Sequence, residues 1–403
     1  MLSNFLREYN INRVFLSITG CWPFQNKLVR NSLRTLCFLL EISYCPFEVL
    51  LLYDHWNDAQ MIFEAGYQIA IMTSFILRQA NQFWNYDKLR HLYKTIDEHW
   101  NIFTNDIEIQ ILKDYSSLSR KFTKYYSTIV YLMCLICMTI PLAPPLLDIV
   151  MPLNESRSRF FVVEVEFRMD KNENFVLIYC YTTVTMMVGI NIMVGVDAMH
   201  VLCTIHACSL FAAISKQLEN MFLKADNSKN INKPKHYINT EFDSLSEEIV
   251  YREYIVCLKK HQLAIEFVNV LESSYQGFSL LILLLIIGAL SLIGIRIIYA
   301  LDQLQEAIKL IFILIGILLT LTIISYSGQR IMDESQDIFY RAYAAEWYNF
   351  SPRLKSLMII TLYRSNVPCG LKAGNMIPLS IATYASVIKM AMSYFTAFLS
   401  LQE

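Results

Sequence analysis

Histidine and cysteine side chains recur at helical spacing in the middle of the chain, a pattern that could bind zinc. His200, Cys203 and His206 lie at positions i, i+3 and i+6, and Cys134 and Cys137 form a CxxC pair. A structural zinc site needs four ligands, which one helix rarely supplies, and no second pair stands out elsewhere. We therefore expect these side chains to pack and hydrogen-bond within the protein, without a metal or another cofactor.

Catalytic motifs do not appear in this sequence. It has no phosphate-binding glycine loop, no nucleophile elbow and no HExxH pair, so nothing indicates an enzyme. The remaining chemical candidates are acidic residues in apolar stretches, because a carboxylate at membrane depth is costly and usually faces a cavity or a partner. These residues are Glu41, Glu48, Glu64 and Asp197. Hydration at the outer membrane surface is the alternative explanation for Glu48 and Glu64.

Composition indicates that these residues belong to a membrane protein. Of 403 residues, 55% are hydrophobic and only 17% are charged, which is more apolar material than a soluble core of this size can bury. The apolar stretches are long and continuous, so they predict helices and not the alternating strands of a barrel. A net charge of -1 gives no basic field for a nucleic-acid partner.

Seven apolar segments are long enough to approach the roughly 20 residues that a membrane helix needs. The second is the weakest and the fourth is too long for one span, so we expect the fourth to continue out of the membrane as a helix. The predicted spans are Leu36–Tyr53, Ile62–Ile76, Ser127–Val150, Phe175–Ala213, Phe278–Leu301, Ala307–Tyr326 and Pro378–Leu401.

Charge distribution favours a cytoplasmic N-terminus. With that orientation, most of the 34 Lys and Arg residues fall in intracellular loops, although those loops are also the longer ones. The sequon at Asn154 would then be extracellular and open to glycosylation, whereas the one at Asn349 would be intracellular and unused.

An organised helical segment precedes the last span. Over Gly328–Asn349 a helical wheel places Phe339, Tyr343 and Trp347 on one aromatic face, so we expect a helix largely covered by protein. Ser351 and Pro352 then supply an N-cap and a first-turn proline for a further helix. A packed intracellular helical domain is predicted.

The last helix carries a stripe of small and polar side chains along its length. At 100° per residue, Ser393, Ala397, Ser400 and Leu401 share one arc, while Phe395 and its apolar neighbours lie opposite. Such a stripe allows either close helix packing or the lining of a water-filled pore. A pore would need several subunits around one axis, because one helix cannot enclose it.

An ordered series of short motifs in the last quarter of the chain resembles the C-terminal signature of insect odorant receptors. No single motif is distinctive, but their order and spacing are. The motifs are Tyr326-Ser327-Gly328-Gln329, Glu334-Ser335, Ala342-Tyr343, Trp347, Arg364-Ser365, Pro368, Lys372-Ala373-Gly374 and Ser393-Tyr394-Phe395.

The resemblance implies an all-α membrane protein with seven transmembrane helices and a cytoplasmic N-terminus. It implies a tuning subunit that joins the olfactory co-receptor in a tetrameric, odorant-gated cation channel of the plasma membrane of a sensory dendrite. The chain would comprise a cytoplasmic N-terminus (1–33), six spans with a ligand pocket (34–326), a cytosolic anchor (327–377) and a pore-lining seventh helix (378–403). Phe339, Tyr343 and Trp347 would belong to the subunit anchor.

Alignment of Ser393-Tyr394-Phe395 with the co-receptor's Thr-Tyr-Phe puts the family's hydrophobic gate at Ala397 and Leu401. Both positions lie on the stripe that the helical wheel selects. The co-receptor has a larger valine in place of Ala397 and a long insertion between spans four and five that this chain lacks. The resemblance is therefore to a tuning subunit that relies on a partner.

A ligand pocket between spans two, three, four and six is also implied by the resemblance. No motif marks its residues, so we chose side chains that offer adaptable apolar, aromatic or single polar contacts. Each is equally compatible with plain packing. The candidates for binding a small volatile odorant are Met72, Phe75, Tyr131, Cys134, Met186, Met187, Asn191 and Tyr326.

Three other classes of membrane protein are less compatible with the sequence. Gustatory receptors share the fold and channel logic but typically have a Thr-Tyr start and a Gln-Phe pair in the last helix, where this chain has Ser393-Tyr394 and Ser400-Leu401. A metabotropic receptor would have an Asp-Arg-Tyr element after span three and an Asn-Pro-x-x-Tyr in span seven. A transporter would show inverted repeats.

Overall fold

The computed structural model is almost wholly helical and describes residues 2–151, 159, 161–231, 240–300, 303–345 and 347–400. Within these residues the chain forms eleven α-helices and one two-stranded antiparallel ribbon. The predicted glycosylation site at Asn154 and the predicted gate residue Leu401 lie outside the described residues.

Side-chain caps mark where several helices of the first part of the chain begin. Asn26 and Asp58 accept hydrogen bonds from backbone amides of the second and third helices, and Asn105 forms a capping box with Glu108 at the fifth. These caps satisfy amides that have no partner within the helix. The helices are α1 (Ser3–Ile18), α2 (Lys27–Asp54), α3 (Ala59–Trp84), α4 (Tyr86–Ile102), α5 (Asp106–Thr139) and α6 (Ala143–Val150).

The third predicted span is not one continuous helix. A turn of 3-10 helix at Ile140–Leu142 separates α5 from α6. Pro141 explains the interruption, because proline lacks an amide hydrogen and so cannot donate the helical hydrogen bond. The predicted span Ser127–Val150 lies within Asp106–Val150, an apolar segment long enough to cross a membrane that includes this break.

Two helices are much longer than a membrane is thick. Helix α7 (Phe175–Ile231) has 57 residues and α8 (Thr240–Tyr299) has 60. At about 1.5 Å per residue, each exceeds a hydrocarbon core of roughly 30 Å by more than twofold. The prediction that the fourth span continues as a helix beyond the membrane is confirmed.

Five helical segments of the described chain are long and apolar enough to cross a membrane. They contain the first, third, fourth, fifth and sixth predicted spans. The second predicted span lies in α3, whose mean hydropathy is too low for it to be included. Polar side chains on the inner face of α3 lower this value, and several of them bind residues of other helices. The five segments are Lys27–Asp54, Asp106–Val150, Phe175–Met221, Glu248–Tyr299 and Leu304–Ala344.

Helix α9 (Leu304–Ala344) runs without a break from the sixth predicted span into the predicted anchor segment. It ends earlier than the sequence predicts, because Ala345 has extended backbone angles and Trp347–Asn349 form a separate 3-10 turn. Trp347 is therefore not on the same helix as Phe339 and Tyr343, as the helical wheel had assumed. The chain reverses direction here, and the next helix packs against α9. This tertiary contact outweighs the helix propensity of the local sequence.

The chain ends with a short helix, a two-stranded ribbon and the last predicted span. These elements are α10 (Pro352–Ser365), β1 (Lys372–Ala373), β2 (Ile377–Pro378) and α11 (Ile381–Ser400). Gly328 of α9 lets the start of α11 approach closely, since a Cβ atom there would lie 2.1 Å from the carbonyl oxygen of Leu379. Like α3, α11 is not among the five strongly apolar segments.

Candidate ligand cavity and pore helix

A cavity of about 190 Å³ lies between α3, α5, α7, α8 and α9. It is comparable in size to a cavity of roughly 150 Å³ that accepts benzene, so it fits a small molecule. Its walls are mainly apolar, and flexible thioethers make them adaptable. The methionines that line it are Met72, Met133, Met138, Met186 and Met193.

Four of the eight candidate ligand-binding residues line this cavity. Met72 and Phe75 come from α3, Cys134 from α5 and Met186 from α7. Met72 and Phe75 are 2% and 3% exposed, so their side chains are held in place by packing around the cavity. The structure thus brings together residues from three separate parts of the sequence.

The other four candidates do not form the cavity wall. Tyr131 donates a hydrogen bond to Asn191 Oδ1 at 2.7 Å, and Met187 lies behind Cys134 with its sulfur 3.7 Å from the thiol. Met187 therefore contacts a residue of the wall, whereas Tyr131 and Asn191 bond to each other. Tyr326 is 54% exposed on the outside of α9, because its position on the helix turns it away from the bundle.

A buried ion pair lies beside the cavity. Arg78, which lines the cavity, donates two hydrogen bonds of 3.0 Å to Asp197, and Tyr126 donates a third to the same carboxylate at 3.2 Å. Both charged side chains are less than 10% exposed. Asp197 therefore joins α3, α5 and α7 and needs no external ligand to balance its charge.

Glu64 lies at the centre of a second buried cluster. Lys309 of α9 and Arg296 of α8 approach its carboxylate at 3.1 and 2.8 Å. Tyr67 and Gln68 donate to the same group at 2.6 and 2.8 Å. Glu64 is thus connected to two further membrane helices, which is why a carboxylate is tolerated in α3.

Glu41 and Glu48 differ from Glu64, since neither forms an ion pair with any described residue. They lie two turns apart on α2 and are almost wholly buried. Both carboxyl oxygens of Glu41 and one of Glu48 have no hydrogen-bond partner among the described residues. The interface-hydration explanation considered for Glu48 does not fit its burial.

The histidines and cysteine of α7 do not converge on one point. His206 contacts His99 of α4, with ring nitrogens 3.1 Å apart, whereas His200 lies edge-on against Tyr275 of α8. Cys203 is buried in the apolar core. Among the described residues, no group of three or more potential ligands could hold a metal ion.

Helix α11 packs one face on its own chain and leaves the opposite face uncovered. Thr383, Val387 and Ala391 are buried, and Phe395 and Leu399 are half-buried. Every described member of the small, polar stripe is exposed. These residues are Ser386, Lys389, Ser393, Thr396, Ala397 and Ser400.

The predicted anchor residues lie in a region with much exposed aromatic surface. Phe339 stacks on Tyr343 with ring centroids 5.9 Å apart and is half-buried, whereas Tyr343 is 63% exposed, so this chain by itself covers the predicted face only in part. Trp347 is half-buried and packs at the edge of the main apolar core. The covered side of α9 is instead formed by Ile331, Ile338 and their neighbours.

Several residues that border the cavity were not among the candidates predicted from the sequence. Tyr67, Gln68 and Arg78 of α3 and Ile286 of α8 all line it. A signal was available in α3, where positions 68, 71, 72, 75 and 78 repeat at three- and four-residue intervals on one face. The part of α8 that lines the cavity could not have been singled out, because its stretch Leu280–Ile287 is apolar on every face.

Comparisons with known proteins agree with this architecture. The model of the family described as 7tm Odorant receptor matches residues 43–392. Odorant receptor 22b of Drosophila melanogaster is 24% identical over 151 residues, and odorant receptor Or2 of Anopheles gambiae is 24% identical over 198. These matches cover 38% and 48% of this chain and of the respective relative, so the chain spans less than half the length of each.

Two solved structures share the fold over nearly the full length. The insect olfactory receptor OR5 from Machilis hrabei superposes with a TM-score of 0.77, and its complex with eugenol with 0.75, each covering 99% of both chains. Sequence identity is only 13% and 14%. The family description denotes seven transmembrane helices, and the helices that contain the seven predicted spans or most of each are α2, α3, α5, α7, α8, α9 and α11. With a family match over most of its length and this seven-helix fold, the chain belongs to the insect 7tm odorant receptor family.

Proposed function

We propose that this chain is the odorant-sensing subunit of a ligand-gated cation channel. A small volatile molecule binds in the cavity between the helices, and its binding opens a pore lined by α11. The observation that carries this proposal is the combination of a small, mainly apolar cavity with an exposed polar stripe on α11. The cavity suits a volatile ligand, and the stripe suits a water-filled path shared between subunits.

Partner subunits are needed because α11 covers only one side of any pore. In this proposal the partner is the olfactory co-receptor, the assembly is a tetramer in the plasma membrane, and the N-terminus is cytoplasmic. The exposed aromatic and apolar side chains at the end of α9 and in α10 form the anchor surface. They include Tyr340, Tyr343, Ile359, Ile360 and Tyr363.

Electrical recording tests this function directly. The chain is expressed alone and with the co-receptor in cells that lack other odorant receptors, and a broad panel of volatiles is applied. We expect odorant-evoked cation currents only in the co-expressing cells. Robust odorant-gated current from this chain alone would overturn the tuning-subunit role, and absence of any current at normal surface density would overturn the channel function.

A matched pair of variants tests whether the cavity is the ligand site. Cys134→Phe places a larger side chain in the cavity, whereas Leu135→Phe changes the next residue of α5, which is 60% exposed. We expect Cys134→Phe to raise the half-maximal odorant concentration by at least about tenfold, on the order of the 1–3 kcal/mol cost of overpacking. Leu135→Phe should leave it unchanged, and equal effects of both variants would exclude this cavity.

A further inference from the structure

Most polar side chains that line the cavity already donate their hydrogen bonds within the protein. The hydroxyls of Ser74, Thr182 and Thr320 donate to backbone carbonyls of their own helices. Tyr179 donates to the carbonyl oxygen of Met138, and Arg78 is held by Asp197. These five side chains therefore offer a ligand neither a free donor nor an unbalanced charge.

Gln68 is the exception. It lines the cavity, is 4% exposed, and its Oε1 atom has no hydrogen-bond partner among the described residues. No other described side chain in the cavity wall carries a buried polar atom without a partner. A buried, unpaired amide oxygen is costly, so a ligand that supplies a donor gains more than one that does not.

The orientation of the Gln68 amide is fixed by its neighbour. Its nitrogen lies 2.8 Å from Glu64 Oε1, and a carboxylate accepts hydrogen bonds but does not donate them. The nitrogen must therefore face Glu64, which leaves the oxygen, itself buried in the cavity wall, as the end without a partner. Amide oxygens only accept hydrogen bonds, so the complementary ligand group is a donor.

A neutral donor fits this site better than a charged one. Glu64 already accepts bonds from Tyr67, Gln68, Arg296 and Lys309, so it has little capacity left for a ligand ammonium group. Arg78 is the cation among the described cavity-lining side chains, and it already donates two hydrogen bonds to Asp197. A charged ligand would lose its hydration without finding a free counterion.

We propose, on the basis of the proposed function, that this receptor selects small neutral alcohols and phenols by a hydrogen bond from the ligand hydroxyl to Gln68 Oε1. The rest of the ligand is apolar and contacts the methionine-rich wall. Because Gln68 is bonded to Glu64, which binds Arg296 of α8 and Lys309 of α9, the hydroxyl is recognised next to the junction of three membrane helices.

Isomeric odorants that differ only in the hydroxyl group test the proposal in the wild-type receptor. Benzyl alcohol is compared with anisole, and hexanol with methyl pentyl ether, in cells that co-express the co-receptor. We expect each alcohol to act at about tenfold lower concentration than its isomeric ether, as one good hydrogen bond allows. The ethers are the more hydrophobic isomers, so partition into an apolar cavity alone would give the opposite order.

Two variants of α3 assign the selectivity to Gln68. Gln68→Met removes the acceptor at similar volume and should bring the ratio between alcohol and ether close to one. Gln79→Met is the control, because Gln79 is also buried with an unpaired Oε1 but does not line the cavity. It should leave the ratio unchanged.

Several results would overturn this inference. One is equal or ether-preferring responses of the wild-type receptor, and this comparison stands even if Gln68→Met fails to reach the surface. Another is an alcohol preference that survives in Gln68→Met or is lost in Gln79→Met. If the receptor reached the surface at normal density with the co-receptor and no volatile evoked a current, the proposed function would be wrong, and this inference with it.

Discussion

The ring of Phe395 in α11 lies against the backbone of Gly294 in α8, because Gly294 has no side chain to keep it away. A Cβ atom at Gly294 would be 3.0 Å from Phe395 Cδ2, closer than the usual 3.5–4.0 Å between carbon atoms. One turn away, Ser291 of α8 donates a hydrogen bond to the carbonyl oxygen of Ala391 at 3.2 Å. The proposed pore helix is thus held by a helix that also borders the ligand cavity.

The Gly294 contact predicts that Gly294→Val impairs channel opening more than ligand binding. The added methyl groups must displace Phe395 and with it α11, at a cost of about 1–3 kcal/mol. We expect the maximal odorant-evoked current per surface receptor to fall by about tenfold. Gly288→Val is the control, since a Cβ atom at Gly288 has no neighbour within 4 Å; equal currents in the two variants would contradict the prediction.

Cysteine accessibility should follow the two faces of α11. Cysteines introduced at Ser393, Ala397 and Ser400 should react with a water-soluble cationic thiol reagent, and faster when odorant is present. Cysteines at the half-buried positions Phe395 and Leu399 should react slowly in both conditions. Reaction rates are measured from the irreversible change in current, relative to the unsubstituted chain. Faster modification on the Phe395 face would mean that the exposed stripe is a packing surface.

Enlarging the side chain at Ala397 should narrow the pore. Apolar constrictions block ions by excluding water, so Ala397→Phe should lower single-channel conductance. The order of preference among odorants should not change, because the cavity lies between other helices. Single-channel current and the responses to a full odorant series are measured. An altered order of odorants at unchanged conductance would show that Ala397 does not line the pore.

Breaking the buried cluster around Glu64 should destabilise the folded protein. Glu64→Gln removes one of the two carboxylates that Lys309 and Arg296 share, the other being Glu306, and breaking a buried ion pair costs up to about 3–5 kcal/mol. We expect a large loss of thermal stability in detergent and of surface expression. Lys94→Met is the control, because the Lys94–Glu98 pair is exposed and worth only about 0.3–0.5 kcal/mol. Similar effects of the two substitutions would show that the cluster around Glu64 does not stabilise the bundle.

Trp347→Ala should reduce assembly with the co-receptor and leave ligand preference unchanged. Because Trp347 is half-buried, we expect a cost of about 1–3 kcal/mol, less than for truncation of a fully buried tryptophan. The extent of assembly is measured as the yield of the hetero-oligomer on size-exclusion chromatography. Tyr348→Ala changes an adjacent aromatic that is 59% exposed, and it should have a smaller effect. Normal yield with Trp347→Ala would remove Trp347 from the anchor.

Local patterns in the sequence determined which segments are helical and which faces they present. Long apolar runs identified the spans, since backbone groups in lipid must be satisfied within a helix. The 100° rotation per residue assigned Ser393, Ala397 and Ser400 to one face of α11, and the structure leaves that face uncovered. Ser351-Pro352 marked the start of α10 for an equally local reason.

Only the tertiary structure decided which faces meet. Nothing in the sequence connects Glu64 with Lys309, 245 positions later, or shows that Gln68 would keep an unpaired oxygen beside a cavity. Tyr326 lies outside that cavity and Trp347 outside the helix assigned to it. The physical reason is that periodicity fixes the direction of a side chain relative to its own helix, whereas its neighbours depend on how distant helices pack together.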